Sequence, residues 1–216
     1  MILTPSSLLD AATLTSTMFI GAFSISVVGG VLVAAGRRSG LSIVRVSTTI
    51  WVNVVRGVSP LVWLFIIFFG ISIAGSRLTA MSAGIVAFGL IGTAYLGEIF
   101  RAGIESLPAG HFDAINGLGL PSWAAMRLVI LPQALPIIIA GTASYAINLL
   151  KETALASLIG VQEITYLSNL TVNRGGNGLI AFAVAGAIYL LLSLILGMAG
   201  RLLGARIEGK FSVRTT

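Results

Sequence analysis

LIAFAVAGAIYLLLSLILGMAG, residues 179–200, carries no charged side chain from end to end. A helix over this run is about 33 Å long, close to the thickness of a bilayer's hydrocarbon core. Backbone polar groups cannot be left bare in that medium, so a helix is the default for a run of this kind. Four more apolar windows precede it. Residues 12–36 lie in a stretch without charge between Asp10 and Arg37; residues 60–76 include Trp63, Phe65, Phe68 and Phe69; residues 78–97 follow closely. Residues 131–159 are broken by Pro132 and Pro136 near the start and by Lys151 and Glu152 late in the run. These windows predict an all-α membrane protein, a single transmembrane domain over residues 1–216 with about five transmembrane helices.

Composition agrees. Of the 216 residues 56% are hydrophobic and 9% charged, whereas a soluble domain coats its surface with about 25% charged residues. The 26 glycines lie among Leu, Ile, Val and Ala, as suits close helix packing in lipid. The absence of cysteine excludes a disulfide scaffold, an iron–sulfur cluster and any thiolate zinc site. A cleaved secretory signal needs a basic region before its apolar stretch, and the only charge ahead of Arg37 is Asp10, so the first segment is expected to be retained.

The net charge of +6 raises nucleic acid as a partner, but that needs a clustered basic face, and here the basic residues are spread thinly at the ends of apolar runs. They sort instead by side. With the N-terminus outside, Arg37, Arg38, Arg45, Arg56, Arg101, Arg127, Arg201, Arg206, Lys210 and Arg214 fall inside and only Arg77 and Arg174 outside. The positive-inside rule therefore predicts N-terminus outside and C-terminus inside. Residues 39–58, with Arg near each end and Trp51 between, read equally as an interfacial helix or as a plain connector.

Missing motifs narrow the chemistry. Each lysine is followed by Glu152 or Phe211, so there is no phosphate-binding loop of the Gly-rich Lys-Ser/Thr type. His111 is the only imidazole, and neither a zinc-protease pair nor a Gly-x-Ser-x-Gly elbow occurs. No catalytic residue, no metal site and no cofactor site in this chain is expected. Asp10, Glu98, Glu105, Asp113, Glu163 and Glu208 mostly fall at segment ends, where a solvated loop charge is the expectation.

The longest inner excursion, about residues 98–130, runs into the next span as EIFRAGIESLPAGHFDAINGLGLPSWAAMRLVILPQ (residues 98–133). Leu107-Pro108-Ala109-Gly110 is a turn, residues 112–118 make a short helix that Gly119 and Pro121 end, and a second helix starts with Ser122 as its N-cap. With small residues Ala114 and Gly117, the short helix suits a groove on a partner protein; it serves as well as a simple link between spans.

Taken together the motifs resemble those of bacterial ABC importer permeases. Asp113-Ala114-Ile115, Gly119 and Val129-Ile130-Leu131-Pro132 stand at the spacing of that family's Glu-Ala-Ala loop, with Asp113 in place of the usual Glu. Tyr95-Leu96-Gly97-Glu98, Leu131-Pro132-Gln133-Ala134, Leu150-Lys151-Glu152-Thr153 and Val55-Arg56-Gly57 are similar to elements of the polar amino-acid branch, which carries histidine, arginine, glutamine or glutamate. The resemblance implies a cytoplasmic coupling helix between the third and fourth spans, with Asp113, Ala114, Gly117, Gly119, Leu131 and Pro132 as the ATPase-coupling residues. It further implies a cytoplasmic ABC ATPase dimer that binds ATP and Mg, a second permease chain, identical or homologous, and an external substrate-binding protein. The substrate would be a polar amino acid or a derivative, and the location the bacterial inner membrane.

Lys151 and Glu152 are ionisable groups in an apolar span, where such residues usually face a cavity or a partner. With Asn148 and Thr153 they are candidates for a substrate path, Glu152 meeting an ammonium or guanidinium group. A position near the outer end of the helix, balanced by water or neighbouring chains, is the equal alternative. Competing functions are an ion-coupled secondary transporter, which would normally show an internal repeat not seen in this sequence, and a structural membrane subunit, which would not need an ordered loop.

Overall fold

A computed structural model describes residues 4–73, 78–108, 110–111, 115 and 117–211. Every regular element among them is helical. Helix α1, Pro5–Arg37, starts on a capping box in which Thr4 Oγ1 accepts from Ser7 N at 3.3 Å and Ser7 Oγ accepts from Thr4 N at 3.0 Å. Its hydroxyls turn back on the helix: Thr15 donates to Ala11 O at 2.9 Å and Ser26 to Ala22 O at 2.7 Å. Polar side chains satisfied within their own helix can be carried through hydrocarbon.

Helices α2, Ser42–Gly57, and α3, Pro60–Ile73, meet at a bend of 103°, measured over Ser42–Gly57 and Pro60–Gly70. Residues 39–58 are thus largely helical, and not the plain connector left open above. Pro60 has no N–H to continue α2, and Ser59 O instead accepts from Val62 N and Trp63 N, opening α3. Two indoles brace the corner. Trp63 Nε1 donates to Val55 O at 3.2 Å, and Trp51 Nε1 donates to Thr93 Oγ1, on the helix that follows α3, at 3.1 Å. The 14 residues of α3 make about 21 Å of helix, so it is short for a crossing without its partner. Among the described residues four helices are long and apolar enough to cross a membrane, or up to five if the bent pair counts as one span.

Helix α4, Ala80–Glu105, runs two turns beyond the boundary expected at Gly97. Arg101 explains the extension, since it pairs with Glu98 one turn back and with Glu105 one turn ahead, neighbours only on a helix. The expected loop therefore loses its first residues to α4. It loses its last ones to a helical entry into α5, Leu131–Glu152, through one turn at Ser122–Ala124 and a π-helical segment, Ala125–Ile130. Ser122 is not the cap expected of it: Pro121 holds that position, with its carbonyl accepting from Ala124 N and Ala125 N. Nor do Pro132 and Pro136 break the helix. The wide π turn just ahead of Pro132 absorbs the missing N–H and ring, and Pro136 lies inside α5. After Glu152 the helix tightens to a 3-10 segment, Thr153–Ile159, which ends at Gly160 with φ 92°. Helix α6, Ile164–Asn173, and helix α7, Gly178–Phe211, complete the chain.

The order of close contacts gives the helix directions. Gly21 faces Ile85, Gly89 faces Ile25, and Gly30 faces Leu96 and Gly97, so α1 and α4 run parallel. Gly103 faces Ile138 and Gly141 faces Ile99, so α5 is antiparallel to α4; Gly200 faces Ala143 and Gly204 faces Ile139, which turns α7 parallel to α4 again. Between α1 and α4 the bent pair α2–α3 carries the chain back along α1, so that α4 starts about level with Ser16. The α1–α4 seam is closest at Gly92, where an added Cβ would overlap Ser26 and stand 2.7 Å from the Tyr145 hydroxyl, so glycine alone lets these helices meet. Met18, Ala22, Phe88, Ile91, Leu96, Leu149 and Leu150 form the core between α1, α4 and α5.

Candidate functional site

Three places bear the side chains singled out by chemistry. The first is the loop between α4 and α5. Asp113 and Ala114 lie outside the described residues. Around them Gly110, His111, Ile115 and Gly117 are helical, and the turn that follows has Gly119 at φ 62°, with Leu120 N donating to Ile115 O at 3.3 Å. A bond from the second residue past the helix to the fifth residue back, across a left-handed glycine, is a Schellman stop. Ile115 is buried with Ile104 of α4, Ala125 and Ile130 of the π turn, and Ala134 of α5. The loop is therefore tied to both helices by a small core of its own, while Gly117 and Leu118, the latter 74% exposed, face outward. Leu131, exposed, and Pro132, half-buried, sit where the π turn becomes α5.

The second place is the C-terminal end of α5. Asn148, Lys151 and Glu152 are three and four residues apart and share one helix face. Asn148 and Lys151 are exposed; Glu152 is half-buried, and its Oε2 is buried with no hydrogen-bond partner among the described residues. Thr153 does not belong to this face: it is fully buried and its hydroxyl donates to Leu150 O at 2.6 Å. Two turns back from Glu152 on α5 stands Tyr145, stacked on Tyr95 of α4 with ring centroids 5.6 Å apart, and the Arg56 guanidinium lies 5.3 Å over the Tyr95 ring. Arg56, Tyr95, Tyr145 and Glu152 thus form a succession of polar and aromatic groups from the α2–α3 corner to the end of α5. Sequence reasoning met Tyr95 only as part of a motif and missed Tyr145 and the pairing, because each sits alone in its own apolar run and only the antiparallel packing of α4 on α5 brings them together.

The third place is the junction between α5 and α6. Glu163, expected to be a solvated loop charge, is fully buried. It caps α6, Oε1 accepting from Tyr166 N at 2.8 Å, and its Oε2 accepts from the Tyr189 hydroxyl of α7 at 2.5 Å. The carboxylate thus joins α6 to α7, and Ile164 N next to it donates to Thr15 Oγ1 of α1 at 3.4 Å, so the junction gathers three helices. Burial holds the Glu163 carboxyl above the ordinary carboxylate range, against the opposing pull of the Tyr189 and backbone bonds. A raised value in the fold means stability is greatest below the ordinary carboxylate range and is lost as pH rises through the raised one. Thermal unfolding in detergent is expected to show that slope in the wild type and to lose part of it in Glu163→Gln, whose oxygen keeps the cap on Tyr166 N while its amide nitrogen donates to the Tyr189 oxygen. Glu163→Ala removes the cap and the shorter of the Tyr189 hydroxyl's contacts, leaving Thr165 Oγ1 at 3.4 Å, and lowers stability by about 1–2 kcal/mol.

A charged cluster closes the end of α4 near the loop: Glu98 pairs with Arg37 of α1 at 3.2 Å as well as with Arg101. It fixes the ends of α1 and α4 relative to one another.

Against known proteins, the model for the family described as binding-protein-dependent transport system inner membrane component matches residues 4–209. The chain is 32% identical over 171 residues to the probable amino-acid ABC transporter permease protein YckA of Bacillus subtilis (strain 168), covering 79% of this chain and 75% of that protein. It is 31% identical over 192 residues to the probable amino-acid permease protein YxeN of the same organism, covering 88% and 86%. A solved structure described as the crystal structure of an amino acid ABC transporter with histidines superposes with a TM-score of 0.87 at 28% identity, over 93% of this chain and 94% of that one.

Proposed function

The chain belongs to the binding-protein-dependent transport system inner membrane components, and from that premise we propose how it moves its substrate. It is the inner-membrane permease of a binding-protein-dependent ABC importer of the polar amino-acid class, and is not itself an ATPase. The complete importer pairs this chain with a second permease, a cytoplasmic ATPase dimer holding ATP and Mg, and an external binding protein. The bent pair α2–α3 counts as the second of five crossings, with the N-terminus outside and the C-terminus inside, as the Arg and Lys distribution favours.

The loop centred on residues 110–119 is the coupling helix. The observation that carries this reading is the double attachment of Ile115, packed on α4 and α5 at once while Gly117 and Leu118 remain exposed. Closure of the ATPase dimer pushes the exposed side, and Pro108 and Pro121, whose rings fix φ, stiffen the two ends of the lever. The small core passes the displacement to α4 and α5 together. Those helices carry Tyr95, Tyr145 and Glu152, so the push alters the lining of the path. The π turn before α5 and the 3-10 segment after it are the two irregular points between which α5 can shift as a rod. The free Oε2 of Glu152, with Asn148 on the same face, receives the cationic group of the amino acid as the path opens.

The chain has no cysteine, so a single one can be introduced without background. Leu118→Cys is expected to cross-link to the ATPase in the assembled complex, and a cysteine at Leu179 is not. Cross-linking at neither position, in a complex that still hydrolyses ATP, contradicts the placement of the loop.

A further inference from the structure

We propose that the protein holds one anionic phospholipid of the inner leaflet in a groove along α1, with its phosphate on Arg38. The groove, of about 600 Å³, lies between α1, α4 and the start of α5, and Val31, Ala35, Phe100, Leu131 and Ile138 line it with apolar surface. Past Phe100 a second recess of about 330 Å³ continues beside Phe23 and Val27 toward Leu196 of α7. The lining residues of α1 recur at Phe23, Val27, Val31 and Ala35, one turn apart, so they form a single stripe rather than scattered contacts.

Charge and length select the occupant. Arg38 stands at the open end of the groove and is exposed, with no carboxylate partner among the described residues. Its neighbour Arg37 is held by Glu98, and Arg45 is held by Ser39 O at 3.3 Å, so Arg38 is the guanidinium left over where α1 ends. From Val27 to Arg38 the helix rises about 16 Å, half of a hydrocarbon core of about 30 Å. That is the depth of one leaflet, so an acyl chain with its end at Val27 has its headgroup level with Arg38. An apolar slot one leaflet deep with a free cation at its mouth fits an anionic lipid better than a zwitterionic one, whose own cation would meet Arg38. The assignment to the inner leaflet rests on the orientation proposed above.

The test is native mass spectrometry of the assembled permease–ATPase complex, released from nanodiscs of equal parts phosphatidylglycerol and phosphatidylcholine. The wild-type complex is expected to retain phosphatidylglycerol about fivefold over phosphatidylcholine. Arg38→Ala should bring that ratio close to one, Ala35→Trp should lower retention of both lipids by filling the slot, and Arg174→Ala should leave the ratio as it was. Equal retention of the two lipids by the wild type, or a preference that survives Arg38→Ala, overturns the proposal. Because the measurement is made on a complex that contains the ATPase, a negative lipid result leaves the permease function standing, and failure of the complex to assemble is seen separately.

Discussion

Gly119→Val is expected to leave the chain inserted and the ATPase turning over while uptake falls about tenfold. The reason is local. Gly119 holds φ 62°, a region that costs an L-residue roughly 1–2 kcal/mol and a β-branched one more, and each 1.4 kcal/mol is about a factor of ten in a population. A side chain there meets nothing within 4 Å, so the change acts through the backbone and not through a clash with a neighbour. It removes the Schellman bond from Leu120 N to Ile115 O, and with it the fixed end of the helix that seats Ile115 between α4 and α5. The lever is then slack, and hydrolysis proceeds without moving the path. Gly119→Asn, which tolerates the left-handed region, should retain most of the uptake. Normal substrate-stimulated hydrolysis coupled to normal uptake in Gly119→Val would reject the coupling role of this loop.

The second large effect is at Glu152. Glu152→Gln keeps the shape of the side chain and removes its charge, so affinity for a cationic amino acid, measured on the complex in detergent, is expected to fall on the order of tenfold or more. An uncharged analogue of the substrate should lose far less. Thr153→Val is expected to leave affinity unchanged, because that side chain is buried and bonded to Leu150 O. Unchanged affinity for a cationic substrate in Glu152→Gln rejects direct contact.

Helices that must satisfy hydrocarbon were legible in sequence because the demand is local: the charge-free run at residues 179–200 lies within α7, and the run between Asp10 and Arg37 within α1. What sequence could not reveal came from contacts between distant segments. Glu163 looks like a loop charge until Tyr189, 26 residues on, folds over it. Tyr95 and Tyr145 are unremarkable until α4 and α5 pack antiparallel. Pro132 and Pro136 signal a break on local grounds, yet a π turn immediately upstream lets the helix run on. The end of α4 was misplaced because Glu98, Arg101 and Glu105 look like the charges of a loop, whereas their spacing lets them pair along a helix. In the candidate site, Gly119 and Glu152 were visible as residue types out of place for their surroundings, a glycine closing a short helix and a carboxylate in an apolar run. The partners that give them consequence, Ile115 and the stacked tyrosines, were set by the tertiary fold.

In the function proposed above, this chain conducts an amino acid only as part of an ATP-driven assembly. The most direct test is uptake of a labelled polar amino acid into proteoliposomes containing the chain with its ATPase and binding protein. The fold and family predict uptake that requires both proteins and stops when ATP hydrolysis is blocked. Uptake by the chain alone, driven by a proton gradient and indifferent to ATP, would contradict it.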